Sequence, residues 1–372
     1  MNREVYYDQL RALAIIGIVC CHVFCDIALS LNPAIMGHFK SFYILSFFSF
    51  GNYMGIPIFV MLSGALLINK HYSLSEFVKK RFNRVFVPFL FWVVIYVLFA
   101  VFVRHQDLTL DLVTGIAFGC KGSIGVILWF IWMIMIVYVG IFVIDKILDY
   151  GKSRWEGFDR RFINILTALS LIVYILLNFG YIKFSGSFQY YLFFIPFAVI
   201  GYYLTHTEFT ETKLAEKLNI TPDRIVVTTL ILSVAFYLYF IYSVCMASIA
   251  ANKVIAGTYF QFLAMIFTFS LILLFRYLPK CSSNFAGKIS SKLSSGPIGN
   301  SILSISMCSF GIYFIHYLIF KFIQVQYLYP VRYYDHPMFW QPIVLVIVFF
   351  SSWFIIWIIS KIPVVNRISG AN

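Results

Sequence analysis

A chain of 372 residues that is 61% hydrophobic, 20% aromatic and only 12% charged lies far outside the range of soluble globular domains and reads as a polytopic membrane protein. Its formal charge of +13 invites a nucleic-acid partner, but the placement of that charge along the chain, given below, accounts for it without one. The seven cysteines (20, 21, 25, 120, 245, 281 and 308) are an odd number, lie mostly in apolar runs and lack a paired C-x-x-C spacing, so neither a disulfide frame nor a metal site is expected.

The opening Met1-Asn2-Arg3-Glu4 lacks the basic start, short apolar core and small-residue cleavage site of a signal peptide, so the first apolar run is expected to remain as a helix. Ten such runs can be counted, at about 8–30, 42–68, 85–103, 126–144, 162–179, 188–204, 225–245, 259–277, 302–323 and 339–359. A spanning helix needs roughly 20 residues, so the runs predict an all-α polytopic membrane helix bundle of about ten transmembrane helices. Of the 28 lysines and arginines, 20 fall in gaps on the N-terminal side and 6 on the other, while Arg11 and Lys321 lie within runs. This asymmetry predicts that both termini are cytoplasmic. The loops are short, and no repeat, heptad seam or low-complexity tract appears, so residues 1–372 are expected to form a single integral-membrane domain with its chemistry inside the bundle.

The first run carries Asp8, Arg11 and His22 in otherwise apolar surroundings. At ~100° per residue, the eleven steps from Arg11 to His22 close to within ~20° of full turns, so the two side chains share one face, ~16 Å apart along the axis. Such a stripe suits a polar cavity and not lipid. Asp8, one turn from Arg11, is placed to hold it in an ion pair, and Asp26, one turn beyond His22, is placed either to orient the imidazole or to sit solvated at the outer end.

After the second run, Ser73 and Glu76 form a capping-box pattern, and Leu74, Phe77, Val78, Phe82 and Val85 make an apolar stripe on a basic helix that leads into Pro88. One reading is a cytoplasmic amphipathic helix anchored on anionic lipid. The other is that Arg81 and Arg84, one turn apart, grip phosphates with their guanidinium forks. Of the seven histidines, only His22 and His316 lie inside apolar runs, where a histidine either bridges helices or serves a reaction.

Six blocks in register resemble acyltransferase family 3. They are Asp8-x-x-Arg11 with His22, Ile58-Phe59-Val60-Met61-Leu62-Ser63-Gly64, Arg81-x-x-Arg84-x-x-x-Pro88, Leu128-Trp129-Phe130, Pro196-Phe197-Ala198-Val199-Ile200-Gly201-Tyr202, and Ser309-Phe310-Gly311-Ile312-Tyr313-Phe314-Ile315-His316. The resemblance implies an integral-membrane enzyme that moves an acyl group, commonly acetyl, from cytoplasmic acyl-coenzyme A to a hydroxyl of a cell-surface or lipid-linked glycan, with no metal. Under that implication His22 is the general base or a transient acyl carrier, with Asp8, Arg11, Asp26 and His316 as its catalytic company. Arg11, Arg81, Arg84 and Trp129 are then the residues expected to meet coenzyme A. The family often carries a polar residue just before the Leu-Trp-Phe block, where this chain has Val126 and Ile127, so no role is carried onto those two positions. A glycan exporter without acyl-transfer chemistry is the alternative. Against it, no pair of Gly/Pro-broken runs marks an inverted repeat.

Overall fold

The computed structural model describes residues 4–30, 54–120, 122–183, 186–250, 262–328 and 337–370, without the side chains of 25–30, 82, 187, 249, 328 and 337–338. The elements are α1 (Val5–Ser30), α2 (Gly55–Leu67), α3 (Leu74–Arg81), a π-helical turn Phe82–Phe86, α4 (Val87–Phe102), α5 (Leu110–Ala117), a 3₁₀ turn Val126–Leu128 and α6 (Trp129–Lys152). There follow α7 (Phe158–Asn178), α8 (Ser187–Leu192), α9 (Ile195–His206), α10 (Lys213–Lys217), α11 (Pro222–Ala250), α12 (Phe262–Tyr277), α13 (Asn284–Ser294), α14 (Gly296–Ile323), α15 (Pro337–Ile359) and α16 (Pro363–Ser369). Among the described residues there is no strand, nine helices are long and apolar enough to cross a membrane, and Gly55–Leu67 is a shorter apolar helix. The ten runs read from the sequence all fall on these elements. Positions 42–53 of the second run and 259–261 of the eighth lie outside the described residues.

The core forms around α1, which packs against α2, α12, α14 and α15. Its 72% buried window contrasts with 28% for the last span, so α1 is an interior helix and α15 a peripheral one. Both ends of the α1–α14 contact are visible in hydrogen bonds. Asp8 accepts from Ser306 and His22 meets His316, so residue numbers rise together and the two helices run parallel. The first and ninth apolar runs must run parallel if each run in between crosses the membrane once, so the observed pairing agrees with the span count.

The second and sixth runs cross closely because glycines remove the Cβ atoms that would separate them. A Cβ on Gly64 would lie 1.9 Å from the Ala198 carbonyl oxygen, and one on Gly201 would lie 2.3 Å from that of Met61. This pair of glycines therefore sets the α2–α9 spacing. At the end of α9, the buried Arg276 of α12 donates to the carbonyls of Leu204 (2.7 Å) and Thr207 (2.6 Å) and pairs with Glu208 at 2.6 Å. These are carbonyls that a helix C-terminus leaves without intrahelical partners. The guanidinium thereby joins α12 to α9.

The predicted amphipathic segment forms with its capping box. Glu76 N donates to Ser73 Oγ and Ser73 N donates to Glu76 Oε2, each at 3.3 Å. Its apolar stripe is less regular than predicted. Phe77 and Val85 are buried, but Leu74 and Val78 are exposed, and the side chain of Phe82 lies outside the described residues. Leu74 and Val78 both precede the change from α to π winding at Phe82, so the helix turns its Phe77 side, and not its Leu74–Val78 side, to the bundle. Leu74 and Val78 face away from the bundle, as the lipid-facing residues of an interfacial helix would.

Gly64→Ala and Gly201→Ala are each expected to lower stability by about 1–3 kcal/mol through overpacking. Thermal unfolding of the detergent-solubilised protein measures this, and an unchanged Tm in both variants would mean that α2 and α9 are not held at glycine contact.

Candidate active site

Helix α1 and helix α14 each present a polar stripe to the other. On α14 the stripe is Ser306, Ser309, Tyr313 and His316, spaced three, four and three residues apart, which is one face of a helix. At one end of the stripes, His22 Nδ1 and His316 Nε2 are 2.7 Å apart, and the two rings stack at 5.0 Å with an 8° interplanar angle. His316 Nδ1 lies 2.9 Å from the carbonyl oxygen of Ile312. A carbonyl only accepts, so His316 Nδ1 carries the hydrogen and, in the neutral ring, Nε2 accepts from His22 Nδ1–H. The lone pair of His22 is then at Nε2. His316 is fully buried, whereas His22 is half-buried, with Tyr317 edge-on to its ring at 5.8 Å.

At the other end, Asp8 is buried and accepts from Ser306 Oγ at 2.7 Å, while Arg11 Nη1 lies 3.5 Å from the same Asp8 oxygen. Arg11 lines a cavity of about 500 Å³ together with Ser63, Arg81, Arg84, Tyr138, Ser306, Ser309 and Gly370, over apolar walls that include Phe59, Phe130, Ile134 and Tyr313. Among the described residues the lining has three guanidinium groups and no carboxylate, so its charge suits an anion. Arg84 is exposed. Arg81 stacks near the rings of Tyr138 (5.4 Å) and Phe77 (5.9 Å), and its buried Nε has no hydrogen-bond partner. A buried guanidinium N–H without an acceptor is costly, and an acceptor entering the cavity would satisfy it.

The three predicted arginines thus converge on one cavity, from α1 and from the α3–α4 segment. His22 and His316 do not line it. Tyr313 does line it, with its ring 6.0 Å from that of His316 and its hydroxyl donating to the carbonyl of Ile127. Trp129 does not line the cavity either. It stacks on Tyr191 at 6.0 Å beside Tyr190 and Phe194, and its neighbour Phe130 faces the cavity instead, because successive helical residues point ~100° apart. The side chain of Asp26, like that of Cys25, falls outside the described residues.

The sequence alone does not single out Ser306, Tyr138 or Gly370. Ser306 is within its reach, since it extends the helical spacing of Ser309, Tyr313 and His316 by one more turn. Tyr138 and Gly370 carry no such signal. Gly370 reaches the cavity because α16 is tied down by the Trp92 indole, which donates to the Ser369 carbonyl at 2.9 Å. Among the described residues, no three or more His, Cys, Asp or Glu side chains are grouped to hold a metal ion.

No curated protein and no solved structure is significantly similar to the chain. The acyltransferase domain that defines acyltransferase family 3 matches residues 4–361, nearly the whole length, including the three cavity arginines and the histidine pair. The chain therefore belongs to that family and is a multi-pass membrane acyltransferase.

Proposed function

We propose that the protein transfers an acyl group, acetyl in the first instance, from acyl-coenzyme A to a hydroxyl of a cell-surface or lipid-linked glycan. The observation that carries this reading is the cavity whose described lining has three guanidiniums and no carboxylate, set at one end of a stripe that leads to two hydrogen-bonded histidines. Coenzyme A has phosphates at one end and a thioester at the end of a long thin arm. Arg81 and Arg84 hold the phosphates, and Arg11, steadied by Asp8, meets the arm.

The charge asymmetry of the loops supports placing both termini, and hence the cavity beside Arg11 and Gly370, on the cytoplasmic side where the donor is made. The acceptor enters from the opposite side and reaches His22 first. The ~16 Å between Arg11 and His22 along α1 is comparable to the reach of an extended pantetheine chain, so the donor keeps its nucleotide outside the bundle.

In the reaction the acceptor oxygen attacks the thioester carbonyl while His22 Nε2 takes its proton. The C–S bond then breaks, the ester stays on the glycan, and the coenzyme A thiolate leaves and is protonated. His316 does not touch the reacting atoms. It is a positioning residue that fixes the His22 tautomer through the Ile312 carbonyl. Asp26 is assigned to orient His22 from the outer side.

His22→Ala is expected to lower turnover about 10²–10⁴-fold. Near-normal acylation by the folded, membrane-inserted variant would remove His22 from the chemistry. His316→Ala should lower kcat with little change in donor KM, whereas a rise confined to KM would place His316 in binding. The Arg81→Ala, Arg84→Ala double variant should lose about 1.5–3 kcal/mol of coenzyme A affinity for each charge-assisted bond removed. Unchanged affinity by isothermal titration would reduce this segment to a lipid anchor. In membrane vesicles, movement of unmodified glycan with no acyl transfer would identify an exporter instead.

A further inference from the structure

The guanidinium cavity and the histidine pair come together at Tyr313. Tyr313 faces the cavity with one side of its ring and lies one helical turn before His316, which is buried. Its ring is flanked by Phe130 at a centroid distance of 4.9 Å, and its hydroxyl is held by the Ile127 carbonyl in the 3₁₀ turn Val126–Leu128. Tyr313 is 3% exposed and Phe130 5%. Swinging the ring aside would leave a phenol and a carbonyl unpaired in an apolar interior, which is costly. The ring is therefore stiffly held, and the space beside it is set by Phe130.

We propose that Tyr313, braced by Phe130 and by the Ile127 carbonyl, is the acyl-length selector of this enzyme, admitting a two-carbon acyl group to the histidine pair and holding back longer chains. This rests on the acyl-coenzyme A reading above and deepens it by assigning the donor class. The cavity is ample for the arm of the donor, but the acyl end must pass the ring to reach His22. Each methylene added to the acyl group then has to displace a pinned aromatic pair. A hydrophobic site that discriminates by single methylenes does so by factors of about 10–200 each.

The test is the ratio of initial rates with hexanoyl-coenzyme A and acetyl-coenzyme A, measured on the full-length protein in membranes with the same acceptor preparation. Wild type should use acetyl-coenzyme A and discriminate against the hexanoyl donor. Phe130→Ala removes the brace while keeping Tyr313 and its hydrogen bond, and should raise the hexanoyl-to-acetyl ratio at least about tenfold. Tyr313→Phe, which removes the pin and keeps the ring, should raise it by a smaller factor. Misfolding or loss of overall rate lowers both donors together and leaves the ratio where it was. A wild type that uses both donors equally, or a ratio unchanged in both variants while acetyl transfer persists, would overturn the selector. No transfer from either donor by wild type would overturn the acyl-coenzyme A reading itself, and the selector with it.

Discussion

The parallel pairing of α1 with α14 is the constraint on which the rest of the bundle depends. Hydrogen bonds between spans are few, and each fixes register because the alternative is a polar group facing hydrocarbon. Here two of them lie at opposite ends of the same interface, Asp8 with Ser306 and His22 with His316. A shift by one residue along either helix would break both at once. The glycine crossing of α2 and α9 and the stacking of Trp92 on Phe314 then place the remaining helices against a pair whose register is already set.

Two arginines in partly or fully buried positions show how the same side chain serves opposite ends. Arg276 donates to two carbonyls and a carboxylate, and Lys280 joins the same Glu208, so the group is structural. Arg81 rests on aromatic faces with its Nε unpaired, in a cavity whose described lining has no carboxylate. The difference lies in what surrounds the guanidinium, and it separates a structural clamp from a candidate anion site.

Much of the fold and of the site is legible in the sequence, and for definable reasons. Hydropathy reports burial in lipid directly, so the ten runs locate the helices. The α-helical period reports a shared face, so spacing alone aligns Arg11 with His22, and the Ser73/Glu76 capping box forms where its pattern puts it. Periodicity does not report which face of which other helix lies opposite. That is why Ser306 and Tyr138 escape a reading of the sequence, and why Trp129 is expected at the cavity when Phe130 is the residue that faces it. The stripe through Leu74 and Val78 fails for the same reason, since the period does not report which side of a short helix meets the bundle, and there the Phe77 side does. The ending of α16 at the cavity through Gly370 depends on the Trp92 to Ser369 hydrogen bond, a contact across 277 positions with no local trace.

His22 and His316 are 294 positions apart, and that separation constrains synthesis. At about 5–20 residues per second, α1 waits roughly 15–60 seconds before the helix that completes its polar face is made. During that interval Asp8 and Arg11, a single turn apart, offset one another's charge within α1 itself. The ion pair seen in the finished protein thus also lowers the cost of carrying the Arg11 charge in the first helix before its partner exists.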